Sequence, residues 1–434
     1  MTGPARRIRS IVLALTTACA VPLGVAGTAP AGARGAELPG TTRVSVSSSE
    51  AQSDGPSHGS SALSADGRFV VFTSEASNLV AGDTNGVGDV FVRDLSDATT
   101  RRVSVSSAER QGSGGSLGGV AISPTGRYVA FTSTASNLVA HDTNGNADVF
   151  VRDLVRGTTR RVSLTDGDRQ SSLGGSDPAI SSDGRYVAFG SYSGNLVRHD
   201  TNHHRDVFVR DRSKATTRRV SVTSAERQVY LGGNAPAISA GGRYVVFVSD
   251  SRSLVENDTN KARDVFLRDR STGTTRRVSL SGTGGQLAAY SHGPASISAG
   301  GRYVAFVNGG AVLVRDRTAG STENVATGNG AVGGARDTDS APVRISGDGR
   351  YVVFTSFAPL VPGDTNSRDD VFLRDRRAGT LERVSVSSAG TEGHGHSRTG
   401  AISQDGRLAS FFSEASDLVL GDTNAGDDVF TRSR

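Results

Sequence analysis

The stretch GDTNGVGDVFVRD, from Gly82 to Asp94, places oxygen-bearing side chains at Asp83, Asn85 and Asp89. Oxygens at positions 1, 3 and 7 of a short loop match the start of a calcium loop, whose shell is completed by backbone carbonyls and water. The triplet returns as Asp142, Asn144, Asp148; Asp200, Asn202, Asp206; Asp258, Asn260, Asp264; Asp364, Asn366, Asp370; and Asp422, Asn424, Asp428. Position 5 carries an oxygen side chain only at Asn146, and no Glu stands at the twelfth position. Asp and Asn also close Asx turns without any ion. Two readings therefore stand side by side: a weak calcium site, or a plain turn holding a long loop. Six near-identical copies favour a structural role under either reading, because a catalytic site is normally a single place that breaks symmetry.

Other chemistry-bearing residues recur with the same period. Arg93-Asp94, Arg152-Asp153, Arg210-Asp211, Arg268-Asp269, Arg315-Asp316 and Arg374-Asp375 close one strand-like run per unit. They are expected to bridge strands or neighbouring units. Arginine pairs such as Arg101-Arg102 and Arg218-Arg219 are expected to blunt an exposed sheet edge. His58, His292, His394 and His396 are unit-specific, and His58 could meet His394 and His396 to form a metal or base site. Tyr192, Tyr230 and Tyr290 are also unit-specific, with rim packing as their plain reading. No G-x-S-x-G elbow, H-E-x-x-H pair or phosphate loop is present, and no serine has a base at defined spacing. No catalytic residue and no cofactor-binding residue is therefore assigned, with calcium the one cofactor left open.

These residues sit on a repeat. The arginines of DGRFVVF, TGRYVAF, DGRYVAF, GGRYVVF, GGRYVAF, DGRYVVF and DGRLASF are Arg68, Arg127, Arg185, Arg243, Arg302, Arg350 and Arg407. Their spacing is close to 58 residues except between the fifth and sixth units, where a loop is clipped. Each unit holds four runs rich in Val, Phe, Tyr and Thr, separated by Gly, Asp, Asn and Ser, and none has a sustained helical period. Four antiparallel strands repeated seven times predict an all-β, seven-bladed β-propeller. The last unit stops at its third strand, DVFTRSR, while an orphan strand, TTRVSVSS, precedes the first unit. The N-terminal strand is thus expected to complete the last blade, with Arg43 to Ser47 alongside Asp428 to Arg432. Phe72, Phe91 and their equivalents are expected to pack between blades.

The first 33 residues read as a signal peptide: Arg6, Arg7 and Arg9 precede an apolar run, and Ala31 to Ala33 give a small-residue cleavage site. Residues 34–40 form a linker, and 41–434 a single propeller domain. Full-length charge is +5, and removal of the leader leaves about +2 with no long basic run, so nucleic acid is not an expected partner. Cys19 is the only cysteine and lies in the leader, so the mature chain has neither disulfide nor thiol chemistry. No second apolar segment approaches membrane length.

The S.DGRYVAF run followed by DVFVRD resembles the TolB-like, or WD-like, propeller repeat over essentially all of residues 41 to 434. The resemblance implies the fold. It leaves the role open, because such propellers serve as peptidase-associated domains, lyases and scaffolds. The expected function is a secreted, non-catalytic scaffold binding an unknown protein, peptide or cell-surface ligand through its loop-bearing rim. The alternative is an extracellular hydrolase or lyase working in the central channel. The channel lining separates the two: unlike acids, histidines and tyrosines would favour an enzyme, and a repeated ring of Ser, Gly and Ala a scaffold.

Overall fold

A computed structural model describes residues 1–3, 40–116, 118–328, 331–332 and 342–434. Most of the expected leader and linker lies outside the described residues. Contacts divide the chain into Met1–Glu37 and a compact unit, Leu38–Arg434.

In the first unit the strands are Ser61–Leu63, Phe69–Ser74, Asp89–Asp94 and Thr99–Arg102, hydrogen-bonded in chain order. This antiparallel four-stranded sheet is blade I. Equivalent blades occupy residues 120–161, 176–219, 234–277, 291–324 and 344–383. Blade VII contains Ser397–Ile402, Leu408–Ser413 and Asp428–Ser433, and its outer strand is Thr41–Arg43 from the other end of the chain. The result is a seven-bladed β-propeller with no helix among the described residues, and so none long and apolar enough to cross a membrane.

Closure pairs Thr41 with Arg432, Thr42 with Thr431 and Arg43 with Phe430, and the Val44 amide donates to the Val429 carbonyl at 2.8 Å. The pairing starts two residues earlier than the sequence suggests. Beyond Val44 the chain leaves the sheet, and Val46 bridges Gln52 in a turn that leads into blade I. Every other blade has the same bridge after its outer strand except blade V, for instance Val105 with Gln111.

The middle strands have no polar face because each blade is covered on both sides. Phe69–Ser74 and Asp89–Asp94 are buried almost throughout. On one face Phe72 and Phe91, with ring centroids 5.9 Å apart, pack against Phe412 and Val429 of blade VII. On the other face Val71, Val90 and Val92 pack against Val129, Phe131 and Phe150 of blade II. Twelve phenylalanines in these positions are essentially inaccessible, and burying each contributes about 3 kcal/mol. The expectation that the phenylalanines pack between blades holds. Blade V keeps four strands and joins its second to its third by Gly309-Gly310, as its short interval requires.

The hairpins between first and second strands interlock the blades at the lower face. Gly184 turns blade III at φ +69°, and a Cβ there would lie 2.2 Å from the Tyr128 ring of blade II. The same contact repeats around the wheel and closes with Leu408 of blade VII against Gly67 of blade I. Arg127 and Arg212 lie over the Tyr128 ring at 4.9 and 5.2 Å. The third-strand pairs act here too. Arg68 grips Asp94 with two nitrogens at 2.9 and 2.6 Å, holding that carboxyl below its usual range despite partial burial. Arg93 reaches the Ser47 carbonyl at 3.1 Å and Glu50, both from the segment that precedes blade I. The Arg-Asp pairs therefore bridge strands and blades, as expected.

Candidate functional site

The six acidic loops all lie on the upper face, opposite these hairpins, between second and third strands. In blade I, Asp83 and Asp89 face a guanidinium: Arg102 Nη1 is 3.1 Å from Asp89 Oδ2 and 3.4 Å from Asp83 Oδ1. Asn85 acts as both donor and acceptor within the loop. Its Nδ2 bonds Asp89 Oδ2 at 3.2 Å and the Gly112 carbonyl at 3.0 Å, while its Oδ1 accepts the Val87 amide in an Asx turn. Gln111 Nε2 donates to Asp83 at 2.7 Å and to Asp89 at 3.3 Å, and Ser104 Oγ donates to Asp89 Oδ1. Burial pushes the Asp83 carboxyl up, and Arg102 opposes it.

The arrangement repeats. Arg161 lies 3.1 Å from Asp142 and 3.4 Å from Asp148; Arg219 lies 2.9 Å from Asp200 and 3.3 Å from Asp206. Arg277 lies 3.0 Å from Asp258 and 3.2 Å from Asp264; Arg383 lies 3.4 Å from Asp364 and 3.3 Å from Asp370. Asn144, Asn202, Asn260 and Asn366 repeat the donor role of Asn85. The last pocket is assembled across the closure. Asp422 and Asp428 belong to blade VII, and Arg43, 3.4 Å from each, comes from the N-terminal strand. Ser45 and Gln52 complete it, and Asn424 Nδ2 turns to the Ser53 carbonyl.

Each aspartate pair is thus bridged by the guanidinium of an arginine, within a network of amide and hydroxyl donors. This corrects one expectation. The first arginine of each pair, such as Arg101, is exposed at the sheet edge, but the second turns inward, with 8% of the Arg102 side chain accessible. Strand alternation dictates that split. The sequence carried a further signal: each inward arginine is followed nine residues later by the pocket's amide, from Arg43–Gln52 to Arg277–Gln286.

One pocket differs. In the sixth unit the ninth residue is Glu392, so Asp364, Asp370 and Glu392 lie within 4.8 Å of one another around Arg383. Burial, reinforced by the Asp370 charge, pushes the Asp364 carboxyl up to about 6. Glu392 is lowered to about 2: burial acts upward, but the Thr365 amide and hydroxyl and Arg383 outweigh it.

The histidines do not converge. His58 faces Glu75 at 3.4 Å, His394 faces Asp417, and His396 lies 3.1 Å from Asp369. Among the described residues no histidine joins two further ligands within coordinating distance.

The channel is a cavity of about 500 Å³ lined by the innermost strands. Its narrow layer carries Leu63, Ile122, Ile180, Ile238, Ile297, Ile345 and Ile402, and above it stand Ala, Ser and Pro. Asp177 and Arg344 are the charged residues in the lining. Asp177 is neutralised by Arg205 at 2.5 Å. Arg344 escaped the sequence reading, although its unit reads RIS where four others read AIS, one ALS and one SIS.

The upper rim is uneven. Over blades III to VI, Leu173, Tyr192, Tyr230, Leu231, Tyr290 and Phe357 expose 38–71% of their surface. Tyr230 meets His204 edge-on at 4.5 Å, and Tyr290 Oη donates to the Lys261 carbonyl at 3.2 Å. Over blades VII and I the exposed large apolar residues are the aliphatic Leu420 and Val87, and the rim carries charges, with Arg398 between Glu414 and Asp427.

No family model and no curated protein matches the chain. Among solved structures, oligogalacturonate lyase from Vibrio parahaemolyticus matches at 12% identity over 91% of this chain and 93% of that one, with a TM-score of 0.54. The β-propeller domain of the Trilobed protease from Pyrococcus furiosus matches at 10% identity over 87% and 95%, with a TM-score of 0.52. TolB from Acinetobacter baumannii, whose repeat this chain's resembles, matches at 17% identity with a TM-score of 0.39; the match covers 62% of this chain and about half, 53%, of that protein. What the lyase and the protease domain have in common with this chain is the β-propeller fold.

Proposed function

We propose that this chain is a secreted, non-catalytic β-propeller that binds a protein partner through the aromatic half of its upper rim. The channel lining carries the reading. It is built from repeated alanine, proline, serine and branched aliphatic residues, without a convergent set of acids, histidines and tyrosines. General acid-base or nucleophilic chemistry needs such a set within hydrogen-bonding reach of one substrate atom. The exposed tyrosines supply the complementary argument. Large, rigid, amphipathic side chains dominate protein-recognition surfaces, and here they cluster over four neighbouring blades. Export rests on the leader-like residues Arg6 to Ala33.

The test uses the purified propeller as bait for proteins of the surrounding medium and cell surface. A specific partner should be captured, lost when Tyr192, Tyr230 and Tyr290 are together replaced by Ser, and retained by Val155→Ser on the lower face. Val155 is a suitable control because it is 75% exposed and lies outside the rim. Capture indifferent to the three tyrosines would overturn the rim assignment. Turnover of a polysaccharide or peptide by the purified chain would overturn the non-catalytic reading.

A further inference from the structure

Backbone register identifies Arg344 as an intruder in a ring of small residues. Arg344 pairs with Val353, three residues after the hairpin arginine of its blade. The equivalent pairings place Ala62, Ala121, Ala179, Ala237, Ser296 and Ala401 at that level in the other six blades. Six blades thus present a methyl or hydroxymethyl to the channel, and one presents a guanidinium. The side chain is enclosed by protein and keeps part of its surface on the channel space.

Arg344 has no carboxylate partner among the described residues. Its one hydrogen bond goes to the carbonyl of its own neighbour, Val343, at 3.4 Å, a long contact for five N–H donors. The buried arginines elsewhere in the blades have partners: Arg93 binds Glu50, and Arg102 binds two aspartates. Desolvation lowers the Arg344 guanidinium to about 10, which still leaves it charged at neutral pH. A charge largely surrounded by protein and left without a counter-ion is costly, so its retention in the channel wall calls for an anion.

We propose that the central channel binds a small amphiphilic monocarboxylate, with the carboxylate on Arg344 and the apolar body against the wall formed by Pro178, Pro236, Pro294 and the aliphatic layer. The planar guanidinium matches a carboxylate with two parallel N–H···O bonds. One positive charge balances one negative charge. A phosphate dianion would leave an unpaired charge beside Ile180 and Ile345, so the chemistry of the site selects a single charge on an apolar body. The cavity, about 500 Å³, lies within the range that encloses small ligands. This inference is independent of the rim reading, which concerns a different surface and a different class of ligand.

Thermal melting and calorimetry of the full propeller test it, with octanoate as probe and octanol, octylamine and inorganic phosphate as comparisons. Octanoate should raise the melting temperature saturably, and Arg344→Ala should weaken it by at least about tenfold, the scale of one charge-assisted contact. That variant carries the residue found in five other blades, so it should fold and melt no lower than the parent without ligand. Arg344→Glu should reverse the preference, binding octylamine and losing octanoate. An octanoate shift of equal size in Arg344→Ala, or none in the parent chain, would overturn the site. Phosphate binding as tightly as octanoate would overturn the amphiphile.

Discussion

Replacing Arg102 by Met should show whether an internal cation, rather than a metal, holds the acidic loops. Methionine keeps an apolar stem of similar length and removes only the charge. Asp83 and Asp89, with 5% and 0% of their side chains accessible, would then share a pocket with no cation. Breaking a buried ion pair by removing one partner costs about 3–5 kcal/mol. The pocket can limit the loss by binding a proton. Protonating a carboxyl of ordinary pKa costs about 5 kcal/mol at about pH 7.5 and about 2 kcal/mol at about pH 5.5, because each unit is worth about 1.4 kcal/mol. Asp83 is the acceptor, since burial already pushes it up in the parent pocket. Urea or thermal unfolding at the two pH values should therefore show a loss of about 3–5 kcal/mol near pH 7.5, shrinking to about 2 kcal/mol near pH 5.5. Calcium gives the second arm. A weak site of about 0.5 mM, met by about 5 mM calcium, would restore about 1.4 kcal/mol to Arg102→Met. The parent pocket, which already holds the Arg102 cation, should gain less. A loss below about 1 kcal/mol near pH 7.5, or an equal calcium effect on both proteins, would refute the reasoning.

Two further outcomes follow from the same geometry. The Asp364 carboxyl is raised to about 6, so the native state favours its protonated form, and the stability it contributes is lost as pH rises from about 4 through about 6. Asp364→Asn mimics the protonated form and should stabilise the protein by about 1–3 kcal/mol near pH 7.5, with the gain gone near pH 4; unfolding curves showing a loss at neutral pH would contradict this. Gly184→Ala places a methyl 2.2 Å from the Tyr128 ring at φ +69° and should cost about 2–4 kcal/mol. Gly363→Ala, with φ +80° and open space around it, should cost about 1 kcal/mol, and equal melting of the two variants would show that the interlock carries no energy.

What could be read from the sequence was whatever repeats. The blades and their Gly-Arg hairpins are local patterns copied seven times, so each copy corroborates the others, and the missing last strand shows as a gap in that pattern. The closure register was harder. TTRVSVSS alternates throughout, and nothing local says that the sheet ends at Val44 rather than Ser47. The arginine pairs misled because a pair of charges reads alike from either side, although strand alternation sends Arg101 outward and Arg102 into the pocket. Arg344 was legible only by aligning PVRIS against PAIS and knowing which side of the inner strand faces the channel.

These misses share a physical cause, which also locates function in this molecule. The acidic loops are constrained. Each keeps two aspartates, a serine and an arginine in mutual contact, with Gln in five copies and Glu392 in the sixth, so the six copies stay nearly alike. Past the pocket's Gln or Glu, the chain runs to the next innermost strand without a ladder partner. Some of its side chains are tied to the blades, as Ser57 is to Ser74 and Ser116 to Ser133, while others stand exposed. His58, Leu173, Asp177, Tyr230, Tyr290 and His396 all lie in those links or at the very start of the strands that follow, and Arg344 lies at the start of an innermost strand. A ligand that distinguishes one sector of the wheel from another can do so through these positions and through the unit-specific side chains that follow the second strands, such as Tyr192 and Phe357. Substitutions there should change binding with little effect on melting, whereas substitutions in the pockets should change melting in whichever blade they are made.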